Sequence, residues 1–127
     1  KNKLNISCLK FKSKNELNQV YNKNNILILP SNYDGWGVVL IEAMARGMAI
    51  ITNKNVGAAN EYIKHNYNGR IFSNKDNSLA KEINFYIQNY KKIKVFGKRN
   101  RVLFEKSLCN TSNVVNKLNK ILKINNL

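Results

Sequence analysis

Pro30-Ser31-Asn32-Tyr33-Asp34-Gly35-Trp36-Gly37-Val38-Val39-Leu40-Ile41-Glu42-Ala43-Met44-Ala45-Arg46-Gly47 runs from a polar turn into an apolar helix pattern that carries one carboxylate, Glu42. The apolar run Ile26-Leu27-Ile28-Leu29 leads into it. A strand feeding a glycine-bearing turn and then a helix is an arrangement that holds phosphate. The glycines let the backbone come close, and the free N–H groups of the first helical turn point at the anion. Asp34 stands before the turn and Glu42 eight positions later, about two helical turns on. Two acids thus flank an anion-binding helix start, which suits a ligand with phosphate in its middle and hydroxyls at both ends.

Working outward toward the N-terminus, residues 26–29 read as a buried parallel strand, and Pro30, which cannot donate to a ladder, fits its C-terminal end. Asn24-Asn25 breaks a preceding helix with Leu17, Val20 and Tyr21 at helical spacing, and Ser13 with Glu16 has the spacing of a capping box. Residues 6–11 alternate partially and predict a short strand. In the other direction, residues 31–36 form a loop. Residues 37–46 form a helix, apolar on almost all sides and therefore expected to be buried, which Gly47 terminates. A strand over 49–52, a second polar loop over 53–57, a short helix over 58–64 containing Glu61, a turn at 66–69 and a strand over 70–72 follow. A helix beginning at Asp76 or Asn77 has Leu79, Ile83, Tyr86, Ile87 and Tyr90 as its stripe. Gly97 then punctuates, and residues 99–106 and 112–124 predict two more helices.

The order β-α-β-α-β-α-β predicts an α/β fold, a Rossmann-like three-layer domain with a parallel sheet and crossover helices. Ligands of such sheets bind beyond the C-terminal ends of the strands, where the loops 31–36 and 53–57 both lie.

The 127 residues suffice for one domain with a real core. At 43% hydrophobic and 23% charged the composition is that of a globular protein, and no apolar run approaches the ~20 residues of a membrane span. Cys8 and Cys109 lie too far apart in sequence for a metal motif or a disulfide framework and read as reduced thiols of a cytosolic protein. The net charge of +15 admits a solvated lysine-rich surface, peripheral attraction to an anionic membrane, or nucleic acid. Lysine is spread through the whole chain among many asparagines, with no basic run interleaved with aromatics, which speaks against nucleic acid.

With these residues in place, the segment from Leu29 to Phe72 resembles the nucleotide-sugar-binding half of retaining GT-B type glycosyltransferases of the group 1, or family 4-like, kind. That group includes many bacterial polysaccharide and lipopolysaccharide synthases. The likeness rests on Pro30-Ser31, Asp34-Gly35-Trp36-Gly37, Glu42-Ala43-Met44-Ala45-Arg46-Gly47, Gly57 with Glu61 four residues on, and the Asn68-Gly69 turn. It implies the C-terminal half of a GT-B fold, cut at its N-terminal side, with an acceptor-binding N-terminal domain as its missing partner. The first acid of the group is usually Glu; here Asp34 is one methylene shorter. An Arg and a Lys that neutralise the departing diphosphate belong to an earlier loop, which would lie before Lys1.

The resemblance also assigns roles. Asp34 is the catalytic-site acid that holds hydroxyls of the transferred sugar, with an Asx-type turn residue as its alternative. The N–H groups of Trp36, Gly37 and Val38 meet the diphosphate, with Gly35 and Gly37 giving it room. The Trp36 ring is expected to pack beneath the loop rather than stack on sugar. Glu42 accepts from the ribose hydroxyls, a carboxylate offering two oxygens to a vicinal diol. Its alternative is a buried acid paired with lysine. Gly57 and Glu61 are secondary, Glu61 as a helix cap or a loop-positioning group. The donor is expected to be a UDP-sugar or GDP-sugar, with no metal and no other cofactor. His65 is expected at the surface. An inactive binding or assembly module of the same fold, and a basic nucleic-acid-binding domain, are the alternatives.

Overall fold

The computed structural model describes residues 6–108. Three strands, β1 (Ile26–Leu29), β2 (Ala49–Asn53) and β3 (Arg70–Phe72), form one parallel sheet in the order β1-β2-β3. The register pairs Ile26 with Ala49 and Leu29 with Thr52, then Ile51 with Arg70 and Asn53 with Phe72. The central strand is buried at every position, as a parallel strand covered on both faces must be. Its side chains divide by parity. Ile50 packs with Leu40, Ala43, Met44, Val56 and Ala59, whereas Ala49 and Ile51 pack with Phe72, Tyr86 and Phe96. The sheet thus has a core on each face, which is the three-layer architecture expected.

Helix α1 (Lys14–Asn22) starts at the capping box read from the sequence. The Glu16 N–H donates to Ser13 Oγ at 3.4 Å, and the Ser13 N–H donates to Glu16 Oε2 at 2.9 Å. These contacts, the Ser13 N–H first, hold the Glu16 carboxyl down at about 2. Helix α2 (Val38–Ala45) crosses from β1 to β2. Gly47, at φ +67°, closes it with its N–H on Met44 O and the Met48 N–H on Ala43 O, the paired bonds of a Schellman motif. Helix α3 (Gly57–Tyr62) links β2 to β3, and α4 (Ser78–Gln88) and α5 (Tyr90–Ser107) complete the described chain.

Several expectations are corrected. Residues 6–11 form no strand, and Ile6, Leu9 and Phe11 stand 85%, 55% and 98% exposed. A strand needs a paired neighbour, and apolar alternation cannot supply one. Gly97 does not punctuate; it lies within the single helix α5, where its missing side chain lets Gly47 approach. Helix α2 is not buried all round: Leu40, Ala43 and Met44 face the core, but Val38 and Val39 face solvent. In the expected stripe of α4, Ile87 is exposed, and Tyr90 is exposed at the start of the next helix. The expected helix over 112–124 lies outside the described residues.

Candidate functional site

The C-terminal ends of β1 and β2 carry the two polar loops, and backbone bonds zip them together. The Asp34 N–H donates to Asn55 O at 3.3 Å, the Gly57 N–H to Asp34 O at 3.0 Å and the Ala58 N–H to Trp36 O at 2.7 Å. The Asn55 side chain adds a bond to Asn32 O at 2.9 Å. The fold therefore brings together Asp34, Gly35, Trp36, Gly37 and Gly57. A Cβ on Gly57 would stand 2.2 Å from Gly35 O, so its bareness is a condition of the zipper. Gly37 caps α2 at φ +82°, a conformation that favours glycine, and a Cβ there would meet Val56 Cγ1 at 2.5 Å.

Gly35 differs. A Cβ added to it would meet nothing within 4 Å. Internal packing gives no reason for a bare backbone here; the space beside it is open. Beside that space begins α2, whose first N–H groups have no carbonyl one turn back to bond. Those of Gly37 and Val38 find no acceptor among the described residues. The Trp36 N–H, expected to face a diphosphate, instead donates to Asp34 Oδ1 at 3.1 Å. That is an Asx turn, in which an aspartate side chain bonds the backbone two residues on. Asp34 thus has one oxygen committed to its own loop. The Trp36 ring is 44% exposed and meets the Tyr62 ring edge-on with centroids 6.1 Å apart, so it flanks the loop instead of lying beneath it.

Glu42 projects one helical turn beyond Val38, on the same face of α2. It is half-buried, and its partner is not a lysine: Tyr21 of α1 donates its hydroxyl to Glu42 Oε2 at 2.8 Å. Oε1 has no partner among the described residues. Burial first, and then the Glu42 hydrogen bond, push the Tyr21 phenol up to about 12. The Arg46 guanidinium lies 4.3 Å from the Tyr21 ring centroid and donates to the backbone oxygen of Glu42 at 2.9 Å and to Asn18 Oδ1. Tyr21 is the site residue missed in the sequence. It reads there as one more apolar position of α1, although a buried tyrosine hydroxyl usually finds a hydrogen-bond partner.

Glu61 does not cap α3; it lies in its last turn, exposed. The Tyr62 phenol beside it is pushed up, by burial and then by Glu61. His65 is exposed as expected, and its Nδ1 accepts the Ile71 N–H at 3.0 Å. Among the described residues no three His, Cys, Asp or Glu side chains converge, and no helix is long and apolar enough to cross a membrane.

Comparison with known proteins extends this geometry. A family model described as "Glycosyl transferases group 1" matches residues 1–103. A protein of Methanocaldococcus jannaschii, uncharacterized glycosyltransferase MJ1178, is 32% identical over 102 residues, which are 80% of this chain and 29% of that protein. The sucrose-phosphate synthase of Thermosynechococcus elongatus superposes with a TM-score of 0.70 at 26% identity, over 85% of this chain and 27% of the enzyme. Anabaena HepE, solved in complex with UDP-glucose, superposes at 0.74 over 91% of this chain and 31% of its own; at 20% identity this likeness speaks for the fold alone. The chain spans less than a third of each of these proteins.

Proposed function

The chain belongs to the glycosyl transferases group 1 family, and from that premise we propose that it forms the donor-binding half of a retaining glycosyltransferase. In this reading it takes a nucleotide-diphosphate sugar and serves transfer to a polysaccharide or lipid-linked acceptor. The observation that carries the reading is the open space beside Gly35 next to the unbonded N–H groups of Gly37 and Val38.

The chemistry follows from that placement. When a sugar's anomeric carbon parts from a diphosphate, negative charge grows on the phosphate oxygens. Donors already aimed at those oxygens stabilise that charge without reorganising. The Gly37 and Val38 N–H groups, at the positive end of α2, supply them. Glu42 Oε1, one turn along the same face, accepts from the ribose. Asp34, with Oδ1 held by the Trp36 N–H, presents Oδ2 toward the hydroxyls of the transferred sugar. The UDP-glucose bound by HepE makes uridine nucleotides the first donors to test. The acceptor side draws support from the net charge of +15, which suits an anionic, membrane-held acceptor.

Calorimetry with UDP, GDP and their sugars tests the proposal. One of these nucleotides is expected to bind, and Glu42→Ala is expected to weaken it about tenfold, the value of one lost charge-assisted hydrogen bond. Absence of binding at millimolar concentration would contradict it. An inactive module of the same fold is the second reading, favoured by the commitment of Asp34 to its own loop; sugar-nucleotide turnover by a protein containing this chain would exclude that one.

A further inference from the structure

We propose that Tyr21 is a positioning residue for Glu42, and that the two together make the site select nucleotides bearing a ribose diol. The inference rests on the reading of Glu42 as the ribose acceptor. A glutamate on the open face of a helix has three rotatable side-chain bonds, and an unheld carboxylate spreads over many orientations. Here it is held. The Tyr21 hydroxyl donates to Oε2 at 2.8 Å, and Tyr21 itself is 7% exposed, its ring covered by the Arg46 guanidinium. Arg46 is anchored in turn to Asn18 of α1 and to the backbone oxygen of Glu42. The unit bridges α1 and α2 and leaves one carboxylate oxygen, Oε1, without a protein partner among the described residues.

What holds the carboxylate matters as much as that it is held. A guanidinium can occupy both oxygens of a carboxylate in a bidentate fork and leave little for a ligand. Arg46 makes no such pair; its donors go to the Glu42 backbone and to Asn18. Tyrosine occupies one lone pair on one oxygen. A cis-diol can then donate to Oε1 and to the remaining lone pair of Oε2. With its proton held up to about 12, the phenol stays a donor throughout the physiological range.

Calorimetry on the 127-residue chain, with UDP, GDP and the 2′,3′-dideoxy analogue of whichever binds, tests the inference in wild type, Tyr21→Phe, Glu42→Gln and the double variant. Tyr21→Phe keeps the ring beneath Arg46, and thermal melting verifies that the fold is retained. Wild type is expected to prefer the ribonucleotide about tenfold or more. Tyr21→Phe is expected to weaken the ribonucleotide about fivefold to tenfold while leaving the dideoxy analogue within about twofold, and to add nothing further in the Glu42→Gln background. A Tyr21→Phe chain that keeps the full preference, or that loses both nucleotides equally, overturns the role of Tyr21 and leaves the donor-site reading standing. A wild type without the preference overturns the ribose reading of Glu42 and this inference with it. A wild type that binds no nucleotide overturns the donor reading itself.

Discussion

Two polar regions of the molecule are built on opposite terms. Around β3, α4 and α5 the polar groups are closed on one another. Asn68 donates to Tyr62 O and to Asn100 Oδ1, and Asn100 donates to Met48 O and Asn68 O, all at 2.8–2.9 Å and with both side chains fully buried. Arg70 and Glu82 form a buried ion pair at 2.5 Å, with the guanidinium 3.9 Å from the Phe85 ring centroid. At the other region, the loop–helix junction after β1, the Gly37 and Val38 N–H groups and Glu42 Oε1 find no partner among the described residues. The contrast separates polar groups that hold the fold together from polar groups available to something else. A bonded, buried network serves stability; in the proposed function, the unspent donors and acceptors at the ligand edge of the parallel sheet are what the donor meets.

The sharpest way to break the contrast lies in the closed region. Glu82→Ala leaves the Arg70 charge buried without its partner and is expected to cost about 4 kcal/mol of unfolding free energy, read from urea denaturation. Nucleotide affinity per folded molecule is expected to stay as it was. Next comes Gly97→Ala. Glycine to alanine inside a helix normally stabilises by about 1 kcal/mol. Here the new Cβ would stand 2.0 Å from Gly47 O, a backbone atom in a left-handed turn, so overpacking of about 2–3 kcal/mol outweighs the propensity gain. The measured sign decides whether α5 and the end of α2 are as tightly apposed as described.

The smallest effect concerns His65. Burial, and secondly the Arg70 charge, hold the imidazole below its ordinary 6.5, and its Nδ1 must be unprotonated to accept the Ile71 N–H. Because the folded value lies below the unfolded one, the unfolded chain binds the proton more readily. Stability is therefore full above 6.5 and falls as pH drops through that value toward the folded one. Urea midpoints compared at pH 7.5 and 5.5 are expected to decline in wild type and to decline less in His65→Asn, whose amide oxygen can accept the same N–H.

Much of the fold was legible because its signals are local. The run Ile26–Leu29, the Gly47 stop and the Ser13–Glu16 box each act within a few residues, and the order of elements followed from them. The failures are relational. Residues 6–11 carry strand composition, but pairing belongs to two strands and composition to one. Gly97 signalled a break, whereas its bareness answers a contact with Gly47, 50 positions away in sequence. At the site, the acids and glycines of 34–42 were readable from type and spacing. Which N–H groups stay unbonded was not, because that depends on the rotation of the Asp34 side chain onto Trp36. Tyr21 was hidden for the same reason: helical periodicity reports that a side chain faces inward and says nothing of what its hydroxyl meets.

Gly35 carries the most direct test, since nothing within the protein occupies the space its side chain would fill. Paired thermal melting and nucleotide calorimetry on wild type and Gly35→Ala read the two terms of the contrast separately. A ligand-approach role predicts a melting temperature within about 1 °C of wild type, as for a surface change that disturbs no packing, with UDP or GDP affinity reduced about tenfold or more. A melting temperature that falls with affinity unchanged would contradict it, because Gly35 would then serve the fold as Gly97 does, and the open space would not be a site.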